Sequence, residues 1–261
     1  MPEALVTAER QDDCLVARLN RPADGNAINL ALARELAALV ATCTADHALR
    51  ALVITGTGPR YFCTGGDVKA YARVETAQEL DEVFQVIRDL LDAIEALHCP
   101  VIAAINGYAV GGGAELALAS DLRVMDTGAQ IGFPQSRLGI LPGWDGISRL
   151  VPLVGRGTAA RLLLAGKRIG AVEALACGLV DEVAPAGDSL AQGLELARGF
   201  RETAPLSVAA IKTALRDASS GDPAGARQRA RDAFSKLWFS ADHKEAERAF
   251  AAKRAPRFIG A

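Results

Sequence analysis

The sequence predicts an α/β chain of 261 residues. Three observations carry that reading. Short apolar runs of strand character alternate with helical periodicity through residue 188. Two of those runs lead into the same plan of loop, glycine run, acid and helix. From about residue 189 only helical patterns remain. The expected division is a core over 1–188 and a helical region over 189–261.

The elements follow in chain order. CLVARL (Cys14–Leu19) is an early strand, and the Arg21-Pro22 and Asp24-Gly25-Asn26 segments make a loop. Residues 30–41 are helical, with Asn29 placed to accept from a first-turn N–H. ALVIT (51–55) is a short apolar strand, and YFCTGGDVK (61–69) comes after it. Residues 77–97 carry the clearest helix: Leu80, Val83, Phe84, Ile87, Leu90, Leu91, Ile94 and Leu97 keep the i, i+3, i+4, i+7 spacing. PVIAAINGYAVGGGAELALASD (100–121) begins as a buried strand and turns through Asn106-Gly107. It then runs into Gly111, Gly112 and Gly113 and continues as a small-residue helix over 114–119. Strands are expected at 122–125 and near 130–132, then a loop at 133–146, FPQSRLGILPGWDG. Helical patterns cover 147–154, 158–164 and 171–177, and a last strand covers 179–183. Pro205 suits the first turn of a helix reaching residue 219. Asp242 followed by Glu245 reads as a capping box for a last helix ending near residue 254.

Composition excludes several classes. Half the residues are hydrophobic, enough for a large core, and the formal net charge is only −2. With no basic block and five per cent aromatics, no nucleic-acid surface is expected. No apolar run reaches about 18 residues, so no membrane span is expected. The stretch MPEALVTAERQDD has acids and no apolar segment, unlike a signal peptide. Cys14, Cys43, Cys63, Cys99 and Cys177 are odd in number and scattered with no CxxC pair, which fits buried thiols in a reducing cytosol. His47, His98 and His243 are isolated, so no metal site is expected.

The chemistry concentrates at 100–121. Three glycines where a helix opens permit close backbone approach and leave N–H groups without intrahelical partners. Such groups, at the positive end of a helix dipole, suit a developing negative charge, as on a substrate carbonyl oxygen. ALVIT…TGGDVK repeats the plan of PVIAAI…VGGGAEL. Stacked side by side, the two units present glycine-run amides to one point. Taken singly, each is also compatible with an ordinary strand-to-helix turn. Glu115, in the first turn after the glycines, is either a general base or an acid serving the dipole.

These residues resemble the crotonase, or enoyl-CoA hydratase/isomerase, superfamily. NRPADGNAINLALARELAAL resembles its N-terminal loop and first helix, YFCTGGDVK its first oxyanion segment, and NGYAVGGGAELALASDLRV its central signature. FPQSRLGILPGWDGISRLVPLVG, AGKRIGAVEALACGLVDEV and AFAAKRAPRF extend the likeness over nearly the whole chain. The resemblance implies a crotonase-like spiral of ββα units with a C-terminal α-helical trimerisation region. It implies an acyl-CoA thioester as substrate and no separate cofactor, coenzyme A arriving with the substrate. It implies a homotrimer or dimer of trimers. By position it assigns the two oxyanion amides to Gly66 and Gly112, flanked by Thr64, Gly65 and Gly111, and the first catalytic glutamate to Glu115. It places the backbone of Ala27 and Ile28 by the adenine and Lys69 near the CoA phosphates, and it makes Lys253 and Arg254 a C-terminal basic pair that reaches CoA, in some members on a neighbouring subunit. Asp67 reads as the cap of the helix that begins there.

One position departs from the pattern. Hydratases of the family carry a second glutamate after the proline of FPQSRLG, and here that residue is Gln135. An amide hydrogen-bonds water or substrate but exchanges no proton near neutral pH. Asp145 is either a replacement acid or a helix cap before Ile147. Trp144 either lines the acyl pocket or packs. Phe234, Leu237, Trp238, Phe239 and Phe250 are expected at a trimer interface or folded onto the core. The expected function is an enoyl-CoA hydratase-type lyase of the cytosol. Hydrolysis, decarboxylation or isomerisation on the same scaffold, or acyl-CoA binding without turnover, are the alternatives that Gln135 leaves open.

Overall fold

Two sheets carry the fold in the computed structural model, which describes residues 4–72, 74–219 and 221–261. The first three residues of the N-terminal stretch considered above lie outside that range. The larger sheet has six strands in the order β1 (Val6–Gln11), β2 (Cys14–Leu19), β3 (Ala51–Gly56), β5 (Val101–Ile105), β7 (Leu122–Asp126) and β10 (Glu182–Ala184). From β2 to β10 neighbours are parallel; β1 and β2 form an antiparallel hairpin. The smaller sheet has the order β4 (Tyr61–Cys63), β6 (Tyr108–Val110), β8 (Gln130–Gly132) and β9 (Arg168–Gly170). The chain alternates between sheets, β3 to β4, β5 to β6 and β7 to β8, before each return through helix. This is the spiral of ββα units that the resemblance implied.

The helices are α1 (Leu30–Ala45), α2 (Val68–Tyr71), α3 (Ala77–Ala96), α4 (Gly112–Leu118), α5 (Gly146–Ala165), α6 (Ala171–Ala176), α7 (Ser189–Gly199), α8 (Pro205–Ala218), α9 (Pro223–Trp238) and α10 (Ala241–Ala251). β3 and β5 are buried along their whole length, which is why they read as unbroken apolar runs. Alternation still sorts their side chains. Leu52 and Ile54 enter the main core with Leu32, Leu36 and Leu90. Val53, Ile102 and Ala104 face the other way, against Leu190, Leu194 and Ala197 of α7. Thus α7 covers the outer face of the large sheet.

Local signals hold where side chains cap. Asn29 Oδ1 accepts from the Leu32 amide at 2.9 Å, and Thr76 with Glu79 closes a capping box at the start of α3. The Asp242–Glu245 expectation fails: Ser240 caps α10, accepting from the His243 amide. Asp242 instead accepts from the Ile259 and Gly260 amides at 2.7 and 2.9 Å. Glu245 accepts from Arg254, which pulls its pKa down to about 2. Both acids therefore tie the C-terminal tail to α10. The two helices expected over 147–164 are segments of α5, broken where Gly155 takes φ 74° and ψ 157°. The expected loop at 133–146 contains a 3-10 turn, Pro134–Leu138.

Arg123 braces the end of α4. It is buried, and its guanidinium donates to the carbonyls of Ser120 and Leu179 and to Asp181 at 2.8–3.0 Å. The large aromatics of α9 and α10 do not fold onto the core: Phe234, Trp238, Phe239 and Phe250 all stand exposed, Phe250 at 88 %. No described helix is long and apolar enough to cross a membrane.

Candidate active site

The two glycine runs meet. β4 hands Thr64, Gly65 and Gly66 to α2, and β6 hands Gly111 and Gly112 to α4. Gly65 adopts φ 97°, and a methyl group on it would come within 2.9 Å of the Gly112 amide nitrogen. Only glycine permits that backbone approach. Gly111 at φ 60° makes the corner that opens α4, and its carbonyl accepts from the Ala114 and Glu115 amides. Among the described residues, the Gly66 and Gly112 amides donate to no other group. The Trp144 indole lies across both, its nearest ring atoms 3.4 Å and 2.1 Å from where Cβ atoms on Gly66 and Gly112 would stand.

The first run is anchored to the N-terminal loop. Thr64 and Gly25 bond through backbone and hydroxyl. The Ile28 amide donates to the Gly65 carbonyl at 2.8 Å, and the Ile28 carbonyl accepts from the Asp67 amide and the Tyr71 hydroxyl. Ala27 is engaged likewise, donating to Asp24 and accepting from Arg21. The backbone polar groups of Ala27 and Ile28 thus serve internal bonds. Asp67 caps α2, as expected, and pairs with Arg21 at 2.9 Å.

Glu115 is 1 % exposed and is the acid of this place. Its Oε2 accepts from the Trp144 and Gly146 amides, both at 2.9 Å, and its Oε1 accepts from Gln135 Nε2 at 2.9 Å. Burial pushes its pKa above the ordinary glutamate value; the three donors and the charge of Arg149 pull the other way without cancelling the rise. A carboxylate that holds its proton more tightly than usual, yet stays oriented, suits general acid–base work near neutral pH. Arg149 fixes the rear of the loop by donating to the Trp144 carbonyl at 2.7 Å, and is itself held by Asp92 at 2.6 Å.

Geometry goes against the cap reading of Asp145. The amides of Trp144 and Gly146 turn inward to Glu115, so the residue between them turns outward. Asp145 is exposed at φ 63°, makes no side-chain cap bond, and opens on a cavity of about 900 Å³ between α5 and α8. No hydrogen bond among the described residues links its carboxylate to Gln135 or Glu115. Lys69 is exposed as the second residue of α2, and Lys253 is exposed beyond α10; no hydrogen bond among the described residues links either to the Glu115 cluster. No described group of three or more His, Cys, Asp or Glu is arranged to hold a metal ion.

Three contributors carry no sequence signal of their own. Gly146 is required because a Cβ there would stand 2.6 Å from Glu115 Cγ. Tyr71 packs its ring over Gly66, and Arg149 holds Trp144. Each is placed by tertiary contact, not by spacing.

A model of the enoyl-CoA hydratase/isomerase family matches residues 9–261. The chain belongs to that family. Among relatives, a 2,3-dehydroadipyl-CoA hydratase of Escherichia coli is 36% identical over 260 residues, all of both chains. A crotonyl-CoA hydratase of Syntrophomonas wolfei is 35% identical over 254 residues, covering 97% of each. The crystal structure of an enoyl-CoA hydratase from Bacillus anthracis superimposes with a TM-score of 0.93 at 32% identity, covering 98% of this chain and 100% of that one. The family's α/β architecture and its C-terminal helices are therefore both present here.

Proposed function

We propose that the protein is an enoyl-CoA hydratase-type lyase that adds water across the double bond of a 2-enoyl-CoA. The observation that carries this is the pair of unengaged amides, Gly66 and Gly112, beside the buried, oriented carboxylate of Glu115. The thioester oxygen sits between the amides. As water attacks the β-carbon, charge moves onto that oxygen, and donors already in place stabilise it without reorganising; one such donor is worth roughly 3 kcal/mol in acyl-transfer enzymes. Glu115 takes a proton from the water, and protonation of the α-carbon completes the addition. The thioester supplies its own activation, so no separate cofactor takes part.

Trp144 and Tyr71, whose rings both pack beside Gly66, limit the acyl group to a slim or flat one at the reacting carbons. Lys69 serves the CoA phosphates from the exposed surface of α2, and Lys253 reaches the CoA from beyond α10, while Ala27 and Ile28, buried with their backbone groups bonded, shape the loop beside the first glycine run. The exposed aromatics of α9 and α10 support assembly with further copies of the chain into a trimer or a dimer of trimers.

Crotonyl-CoA incubated with the purified protein is expected to yield 3-hydroxybutyryl-CoA as the product identified by mass and chromatography. Absence of hydration across a panel of short, long and dicarboxylic 2-enoyl-CoAs removes the proposal.

A further inference from the structure

Gln135 stands where an acid is expected, and its surroundings decide how it is used. The residue is 6 % exposed, and its side chain points at Glu115. A carboxylate that takes bonds from the Trp144 and Gly146 amides offers only lone pairs, so the Gln135 amide must present its NH₂ to Glu115 Oε1. With Glu115 ionised, as a base must be, that orientation follows, and it leaves Gln135 Oε1 without Glu115 as a partner. This oxygen is buried and has no hydrogen-bond partner. A buried acceptor left unpaired is costly, so the site is built to receive a donor there. The amide borders the second glycine run: a Cβ on Gly111 would stand 3.8 Å from Nε2.

Two acceptors thus belong to one bonded pair, Gln135 Oε1 and the remaining lone pair of Glu115 Oε1. A ligand with two hydrogens on one atom satisfies both, and water is that ligand. Resting on the hydratase reading, we infer that Gln135 and Glu115 form a one-carboxylate water clamp, in which Gln135 only holds the nucleophile while Glu115 performs both proton transfers. The step balances. Glu115 removes one proton from water as the O–Cβ bond forms and the thioester becomes an enolate. The same proton then passes from Glu115 to Cα as the enolate collapses, leaving Glu115 ionised and one water added. Gln135 gains and loses nothing.

The consequence lies in the pH profile. A pair of carboxylates that must share one proton gives activity that falls on both sides, whereas a single base gives one acid limb only. The groups packed around α4 do not complicate this. From α5, Arg149 is held by Asp92; from β4, Cys63 is pushed up to about 12 by burial; from α2, burial raises Tyr71; from β6, Tyr108 faces Tyr61. The acid limb lies above the ordinary glutamate range, because burial raises Glu115.

The test compares wild type, Gln135→Glu and Gln135→Met by crotonyl-CoA hydration from pH 4 to 10, with a thermal melt of each variant. The expected wild-type kcat rises through one limb and then stays level. Gln135→Glu keeps an acceptor for water and is expected to work within about tenfold of wild type near neutrality, but to gain a falling limb at high pH. Gln135→Met, folded by its melt, is expected to lose roughly tenfold or more in kcat with KM little changed. A wild-type profile that already falls at high pH, or Glu and Met variants that behave alike, overturns the clamp and leaves the hydratase reading standing. A wild type that hydrates no 2-enoyl-CoA overturns both.

Discussion

Glu115→Gln is expected to lose between 10² and 10⁴ in kcat/KM for 2-enoyl-CoA hydration, the range a positioned proton-transfer group contributes. The substitution is nearly isosteric. Glutamine Oε1 keeps the bonds from the Trp144 and Gly146 amides, and the Gln135 amide turns over to accept from the new NH₂. The fold should therefore survive, and its stability separates the two roles of the acid. In the folded chain Glu115 holds its proton more tightly than in the unfolded chain. Its contribution to stability is thus fully present below the unfolded-state pKa and is lost as pH rises through the raised folded-state value. Above that value the wild type bears the cost of a buried charge that the variant lacks. The variant is expected to melt at or above the wild-type temperature at neutral pH, with the difference shrinking in acid. A folded variant with unchanged activity removes Glu115 as the base.

The second large effect is expected from Gly112→Ala. Its methyl group would stand 2.1–2.6 Å from three ring atoms of Trp144, closer than any real contact allows. Trp144 has little freedom to yield, since its amide is bonded to Glu115 and its carbonyl to Arg149. Moving it misplaces an oxyanion donor and a Glu115 anchor together. Overpacking of this kind costs about 1–3 kcal/mol in stability, and displacing one donor costs on the order of 10²–10³ in kcat. The double variant Gly112→Ala, Trp144→Phe relieves the contact and is expected to regain part of the rate. Failure of that rescue, in a folded double variant, would place the defect in α4 itself and not in the indole.

How far the sequence discloses this site follows from how each residue is held. Gly65, Gly66, Gly111, Gly112 and Glu115 lie on two copies of one local plan, and local plans are written in short stretches of chain. The strands β3 and β5 are legible for a related reason, being buried on both faces and so continuously apolar. β4, β6 and β9 have three residues each, too few for a period-two signal, and were not expected. Asp145 misleads because an acid in a glycine-rich loop near a family pocket looks chemical. Its direction is set by two neighbouring amides that serve Glu115 from 29 and 31 residues away. Asp242 and Glu245 mislead in the same manner: the spacing is that of a capping box, while the partners come from the tail at 254–260. Gln135 is legible as a departure, but its amide orientation follows only from the position of Glu115.

The most direct measurement is a crystal structure with a bound, non-hydratable acyl-CoA. The thioester oxygen is expected within hydrogen-bond distance of both the Gly66 and Gly112 amides, about 2.7–3.1 Å, with Glu115 and Gln135 on one side of the α- and β-carbons. An acyl group seated with its thioester oxygen away from those two amides, or with Glu115 out of reach of both carbons, would contradict the account.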